Sequence, residues 1–455
     1  MSSATQTPGV PRRAWLLSSR AAILGASLLV SLAVFGLSGN PTTALIYTAG
    51  AAAAIGLLLH PELALALFVV VGDIKGDDRV ASLLPFDLTL AFAALVAAGI
   101  ALKLIRGKRV AAMPPAYFLW IPLVVMMAIS LSYTPEFDAG LEKLGRFLLI
   151  TGIAIVAPFF ALGTPREMKR FLIGFATAAY AICVFSLSRL GGSERLVSPS
   201  DNTIGLGHVA AALIAVIWFA AVPRSSLSRR MLIYLLLAAP VAALIGAGAR
   251  GAVVALAVVI LASLFLFRWL LLDVLGLIAV GLAVLPWLNI PQSSLEYLAT
   301  LVTDRSASAL LDFRGALLNY GWELLQRHPL IGAGIGGFRY SSPNPGAFKW
   351  PHNVLLEIAC ELGIPAAFLV CALFGSALRE SYRQVKDGQS HYFAISTVAA
   401  ALLAIGIINA LNTGDINSDR STWLFMSLVF VVRSYRLRDA NFCSVQYGQT
   451  KPVLA

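Results

Sequence analysis

The chain has 455 residues; 58% are hydrophobic, only 13% are charged, and the mean hydropathy is +0.82 with a formal net charge of +11. Soluble globular proteins run near about 25% charged, and a water-soluble fold of this size has no means of hiding so much apolar surface. A soluble enzyme, a disordered chain and a small disulfide scaffold are therefore excluded. The apolar residues come in blocks separated by short polar stretches, the pattern of an all-α polytopic membrane protein whose helices satisfy their own backbone in lipid.

In chain order, a polar, basic tail at 1–20, carrying Arg12, Arg13 and Arg20, leads into an apolar run at 21–37. No small-residue cleavage site followed by a soluble domain is visible, so the run reads as an uncleaved first span. Blocks at 43–59, 61–72, 88–105, 116–133, 146–161, 170–187, 205–222, 231–248, 252–267 and 270–288 complete a membrane region over 21–288. A long polar segment, 289–353, follows. Blocks at 354–377, 392–411 and 422–432 form a second membrane region, 354–432, before a tail at 433–455. The blocks 61–72 and 422–432 are short for a core of ~30 Å at ~1.5 Å per residue. The expectation is 12–14 transmembrane helices. No internal repeat is visible, so the inverted-repeat signature of many transporters is missing.

Lysine and arginine set the sidedness. With the N-terminus inside and alternation thereafter, 21 of the 34 basic residues and 6 of the 23 acidic ones fall inside. The inner face is then near +15 and the outer face near −4. The high pI reflects positive-inside topology and anionic headgroups. It does not indicate nucleic acid, since no basic–aromatic stripe accompanies it. Both tails are expected in the cytoplasm and 289–353 on the outer side. Cys183, Cys360, Cys371 and Cys443 show no metal-ligand or CxxC spacing, so neither a zinc site nor a disulfide framework is expected.

The outer loop is the only one long enough to build structure. Phe313–Arg327 reads as an amphipathic helix, with Phe313, Leu317, Tyr320 and Leu324 on one stripe, Asp312 as N-cap and His328-Pro329 as its end. Gly332, Gly334 and Gly337 spell GxGxxG, with Glu357 20 residues on. The segment follows no predicted strand and lies outside, so it reads as a tight glycine turn and not a dinucleotide site. His352, between Pro351 and Asn353 at the head of an apolar helix, is placed to exchange protons near neutral pH; a structural role is the alternative. His208, at the outer end of a span, faces either a cavity or the core. Arg195, Arg250 and Arg314 lie on the outer side. Arg250 sits among glycine and alanine with no acid near it in sequence. Such a guanidinium either snorkels to headgroups or holds an anionic ligand, for which its planar fork suits a phosphate.

Those residues carry a resemblance. Arg314, Trp322, His328-Pro329-Leu330-Ile331-Gly332, Pro351-His352-Asn353 and Glu361-Leu362-Gly363 occur in an order that resembles the bacterial O-antigen ligase and O-antigen polymerase superfamily. The family's histidine motif, His then Asn, Ser or Gln, nine residues and Gly, is matched by His352, Asn353 and Gly363. Ala366 departs from the Gly, Thr or Tyr often found three residues later. Arg250 matches the family's arginine ahead of the loop, and the motif-bearing part is about 245–375.

The resemblance implies a GT-C-like membrane glycosyltransferase of the bacterial inner membrane, with its active site in the periplasm. The donor would be a glycan on undecaprenyl pyrophosphate, the acceptor a glycan or lipid A core, with no cofactor and no obligatory metal. His352 would take the proton from the acceptor hydroxyl, and configuration at the anomeric carbon would invert. Arg250 and Arg314 would stabilise the departing pyrophosphate. Arg195, Asn353, His208 and Glu357 would bind substrate or order the site, with Glu357 and Glu361 either setting the histidine tautomer or serving the helix terminus. No concentrated basic patch faces the acceptor side, which favours a polymerase over a ligase acting on a heavily phosphorylated lipid A core. A lipid or polysaccharide transporter is the alternative of a different class.

Overall fold

The computed structural model describes residues 41–77, 86–189, 195–221, 226–267, 271–284, 291–299, 307–341, 349–387 and 391–446. Among these the backbone is helix and turn, with no strand. The helices are α1 (Pro41–Leu59), α2 (Pro61–Val70), α3 (Leu88–Ile105), α4 (Pro115–Ser130), α5 (Phe137–Ala161), α6 (Pro165–Leu187), α7 (Thr203–Ala221), α8 (Leu227–Ala247) and α9 (Arg250–Leu266). After them come α10 (Leu271–Val284), α11 (Gln292–Ala299), α12 (Ala307–Arg327), α13 (Gly337–Ser341), α14 (Val354–Leu362), α15 (Ile364–Lys386), α16 (Phe393–Thr413) and α17 (Arg420–Gln446). The expected first span at 21–37 lies outside the described residues.

Seven of these helices are long and apolar enough to cross a membrane, namely α3, α5, α6, α7, α8, α15 and α16. The pair α1–α2 supplies an eighth if counted as one span, bent by 114° at His60-Pro61. His60 has left the helical region, with φ −129° and ψ 70°, as the residue before proline does. Among the described residues this is fewer full spans than the 12–14 expected. Several apolar blocks are shorter helices, such as α4 and α9.

Two other expectations change. The block 354–377 is not one helix: Gly363 takes φ +88° and packs on the Leu330 backbone, and Pro365 opens the next helix. The loop helix begins at Ala307, so Asp312 is an internal residue and not its N-cap. Alanine and leucine at 307–311 are strong helix formers and carry it upstream. Its end at Arg327, before His328-Pro329, is as expected.

The bundle packs around α7, which contacts α6, α8, α9 and α16. Its small residues, Gly207, Ala210, Ala211 and Ala215, let neighbouring backbones close in. A side chain at Gly207 would collide with Ala249, so the glycine brings the α8–α9 turn against the outer part of α7. Helix ends sort into two poles. One pole gathers expected inner residues: Lys103 with Glu167 at 2.8 Å, Arg170 with Glu62 at 3.2 Å, and Arg438 on the Gly163 carbonyl at 2.9 Å. At the opposite pole the end of α16 meets His352 through Thr413, and Thr89 and Leu90 at the start of α3 line the cavity beside it, where the candidate site lies.

Candidate active site

His352 sits on a turn that two neighbours hold in place. The Asn353 side chain caps α14, accepting from the Leu356 N–H at 3.0 Å. His352 itself adopts φ +58°, in the left-handed region that non-glycine residues rarely enter. Such a conformation costs about 1–3 kcal/mol and persists where the surroundings over-determine it, often at a functional site. The imidazole Nδ1 lies 3.3 Å from the Thr413 carbonyl and 3.2 Å from the indole Nε1 of Trp350. A neutral ring satisfies only one of these contacts at a time. With the proton on Nδ1 it donates to Thr413, and Nε2 keeps the lone pair a base needs. With Trp350 donating to Nδ1, the proton is on Nε2. The ring is half-buried, and that desolvation is the largest cause holding its pKa below the ordinary imidazole value. The Thr413 hydrogen bond opposes the fall, the Arg314 charge adds to it, and the Asp415 charge opposes it.

Thr413 is the hub. Its carbonyl faces His352, its hydroxyl lies 3.3 Å from Nε2 of His208, and its methyl lies near the first turn of α9 at Gly251. His208, Thr413, His352 and the helix bearing Arg250 are thereby joined. Arg250 stands at the start of α9, where the positive end of the helix dipole makes a cation unfavourable and an anion favourable. Its guanidinium lies 4.2 Å from the Tyr297 ring centre and donates to the Tyr297 hydroxyl at 3.0 Å. Arg195 packs on the same ring at 4.2 Å. Arg195 also donates to the Ala247 carbonyl at 3.0 and 2.7 Å and to that of Gly248 at 3.2 Å. It thus caps the C-terminal end of α8, where Gly248 turns the chain at φ +60°.

Glu357 has a different setting. Its Oε1 accepts from Lys143 Nζ at 2.6 Å and its Oε2 from the Ile416 N–H at 2.9 Å. Glu361 takes the same ammonium at 2.6 Å and the Gly336 N–H at 2.9 Å. Both carboxylates are buried, and Lys143 ties α5 to α14 through them. Neither carboxylate is hydrogen-bonded to the His352 ring, whose Nδ1 faces the Thr413 carbonyl and the Trp350 indole instead. The glycine run beside this knot is the expected tight turn: Gly332, Gly334 and Gly336 all have positive φ. The Ala333 and Gly334 N–H groups donate to the Cys360 and Glu361 carbonyls at 2.9 Å. A cavity of about 930 Å³ opens beside His352, Trp350 and His208.

The order of these residues and their common pole point to one family. Residues 234–371 match the O-Antigen ligase family model. No curated protein matches the chain. The match supports the resemblance to the O-antigen ligase and polymerase superfamily, and with it a multi-pass membrane glycosyltransferase of that type. The O-antigen ligase stretch runs from α8 into α15 and holds Arg250, Arg314, His352, Asn353 and Glu357. Arg195, His208 and Thr413 lie outside it, and folding brings them in. The sequence reading missed Tyr297, Thr413, Trp350 and Lys143. Only Trp350 carried a local signal, an aromatic next to the Pro-His pair. The others act across separations in sequence that no periodicity encodes.

Proposed function

We propose that the protein joins a glycan carried on undecaprenyl pyrophosphate to an acceptor sugar hydroxyl at the outer face of the bacterial inner membrane, extending a polysaccharide. The supporting observation is the His352 ring, with a carbonyl for its Nδ1 proton and a cation that disfavours imidazolium beside it. Such a ring is neutral at pH 7 and available as a base. The acceptor hydroxyl gives its proton to Nε2 as its oxygen bonds to the anomeric carbon. The bond from that carbon to the phosphate oxygen breaks, and the pyrophosphate departs with its electron pair. Attack opposite the leaving group inverts the carbon. Arg250 and Arg314 stabilise the charge that develops on the leaving group. Arg195 and Tyr297 fix the Arg250 turn, and the α12 helix limits access of water.

A second reading, transfer to lipid A core, is favoured by the description of the matched family, O-antigen ligase. Polymerization is preferred because, among the described residues, most cations lining the cavity beside His352 face an acid. Purified protein supplied with a lipid-linked oligosaccharide separates the outcomes. Chain growth is expected. Transfer only to lipid A core would replace the polymerase by the ligase, and movement across the bilayer without bond formation would reject both.

A further inference from the structure

The cavity beside His352 has a wall that the chemistry above leaves unused. Its volume of about 930 Å³ lies at the top of the range of ~300–1,000 Å³ for small-ligand sites. Among the described residues His352 and Trp350 line it, whereas Arg250, Arg195 and Tyr297 do not. The cavity wall is therefore separate from the Arg250, Arg195 and Tyr297 group but includes the histidine. That separation suits a donor beside Arg250 and an acceptor in the cavity.

Most cations in the wall already face an acid. Lys75 pairs with Asp87 at 3.1 Å, Lys143 with Glu357 at 2.6 Å, and Arg146 with Glu142 at 2.7 Å. Arg420 interacts with the Asp73 charge. The remaining acids are occupied or muted. Asp415 accepts from the Asn417 and Ser418 N–H groups. Burial, with the charges of Asp415 and Glu357, pushes the Asp419 carboxyl well above its ordinary range.

Two lining cations are left without an acid among the described ion pairs, Arg339 and Lys349. Among the described residues Arg339 Nε is buried and has no hydrogen-bond partner, while its guanidinium lies 5.3 Å from the Tyr340 ring centre. A buried donor left without an acceptor is destabilising. Lys349 is exposed and adjoins Trp350, whose indole faces the same cavity.

We propose that this cavity is the acceptor subsite and that it takes an acidic glycan, whose sugar carboxylate pairs with Arg339 and Lys349. The assignment rests on His352 being the base. The planar fork of Arg339 matches a carboxylate in two-point contact, and Lys349 adds a point charge. Trp350 offers a flat apolar face to a sugar ring and sets the ring two residues from the imidazole. Two cations balance one or two carboxylates; a core bearing several phosphates would demand more. The acceptor is thereby a uronate-containing chain and not a neutral one.

The test is calorimetric binding to the full chain in lipid nanodiscs, independent of turnover. The probes are trigalacturonate, neutral galactotriose and galactotriose bearing one phosphate. Trigalacturonate should bind about tenfold or more tightly than galactotriose, the scale of one charge-assisted contact. Arg339→Gln and Lys349→Gln should each shrink that ratio to about threefold or less, with Arg339→Lys recovering part of it. His352→Ala should leave the ratio unchanged. Equal binding of the acidic and neutral probes would overturn the proposal, as would a ratio untouched by both substitutions. Preference for the phosphorylated probe would overturn the carboxylate assignment. If Arg339→Gln fails to fold, Lys349→Gln, at an exposed position, decides alone. A preserved ratio in a protein that catalyses no transfer would count against the catalytic reading and leave the acidic-glycan site standing.

Discussion

At the scale of single residues, the division of labour between His352 and the arginines is open to direct measurement. His352→Ala should lower turnover by about 10²–10⁴, the usual contribution of a general base, while donor binding stays near normal. Arg250→Ala should weaken donor binding and turnover together. Arg250→Lys should recover only part, since a point charge replaces a fork and loses the geometry of the Tyr297 contact. Loss of donor binding in His352→Ala with normal binding in Arg250→Ala would reverse the two roles. The pH profile gives a second measurement. The base acts when neutral, so activity should fall on the acid side as His352 gains a proton. Because burial and the Arg314 charge depress its pKa, the midpoint of that limb should lie below the ordinary imidazole value of about 6.5. Arg314→Gln removes a cation that disfavours imidazolium, so the midpoint of the residual activity should move up. An unmoved or lowered midpoint in that variant would place Arg314 away from the ring.

At the scale of elements, the knot of α5, α14 and the glycine turn holds the histidine in register. Lys143 lies between two buried carboxylates at 2.6 Å each. Lys143→Met removes the cation and leaves the acids uncompensated, a loss of about 3–5 kcal/mol for a broken buried ion group. Gly363→Ala forces a side chain into the Leu330 backbone at φ +88° and should also destabilise strongly. Both variants should show lowered thermal unfolding temperatures in detergent, and a stability equal to the parent's would refute the role given to the knot. These elements also show what sequence makes legible. Continuous apolar blocks located most of the membrane helices, because a lipid-facing helix must be apolar along its length. The end of α12 was legible in His328-Pro329, where proline acts on its immediate neighbour. The break at Gly363 was not, because a glycine inside an apolar run reads as helix until the Leu330 backbone is seen against it. The pairing of Lys143 with Glu357 and Glu361 was equally hidden, since those residues are far apart in the chain and the two acids carry no mark of their partner. His352, Arg250 and Arg314 were singled out through their order and chemistry; Thr413, which links His352 to His208 and α9, is the last residue of an apolar helix and carries no mark of that role.

At the scale of the whole molecule, charge, helix ends and chemistry make one argument about orientation. Charge stabilisation by arginine implies that activity should survive an excess of chelator. Restoration of lost activity by added Mg²⁺ or Mn²⁺ would instead require a metal at the pyrophosphate. Orientation itself is tested by fused reporters. The charge split of near +15 against −4 expects the basic segments inside, and the two poles of the bundle fit that split. Lys103, Arg170 and Arg438 lie at one pole, while the C-terminal end of α16 lies with His352 at the other. A reporter placed after Gln292 should therefore behave as extracytoplasmic, and reporters placed after Arg229 or Lys386 as cytoplasmic. The Arg229 site is informative because its neighbour Arg230 pairs with Asp273 at 3.0 Å across the start of α10, which ties both helix ends to one face. The Gln292 site opens α11, which carries Tyr297 to the two arginines. A cytoplasmic signal from Gln292 would put Arg250 and His352 on the same face as the basic segments. A donor presented at the outer leaflet would then never meet the base, and the proposed reaction would fail on geometry before any residue was changed.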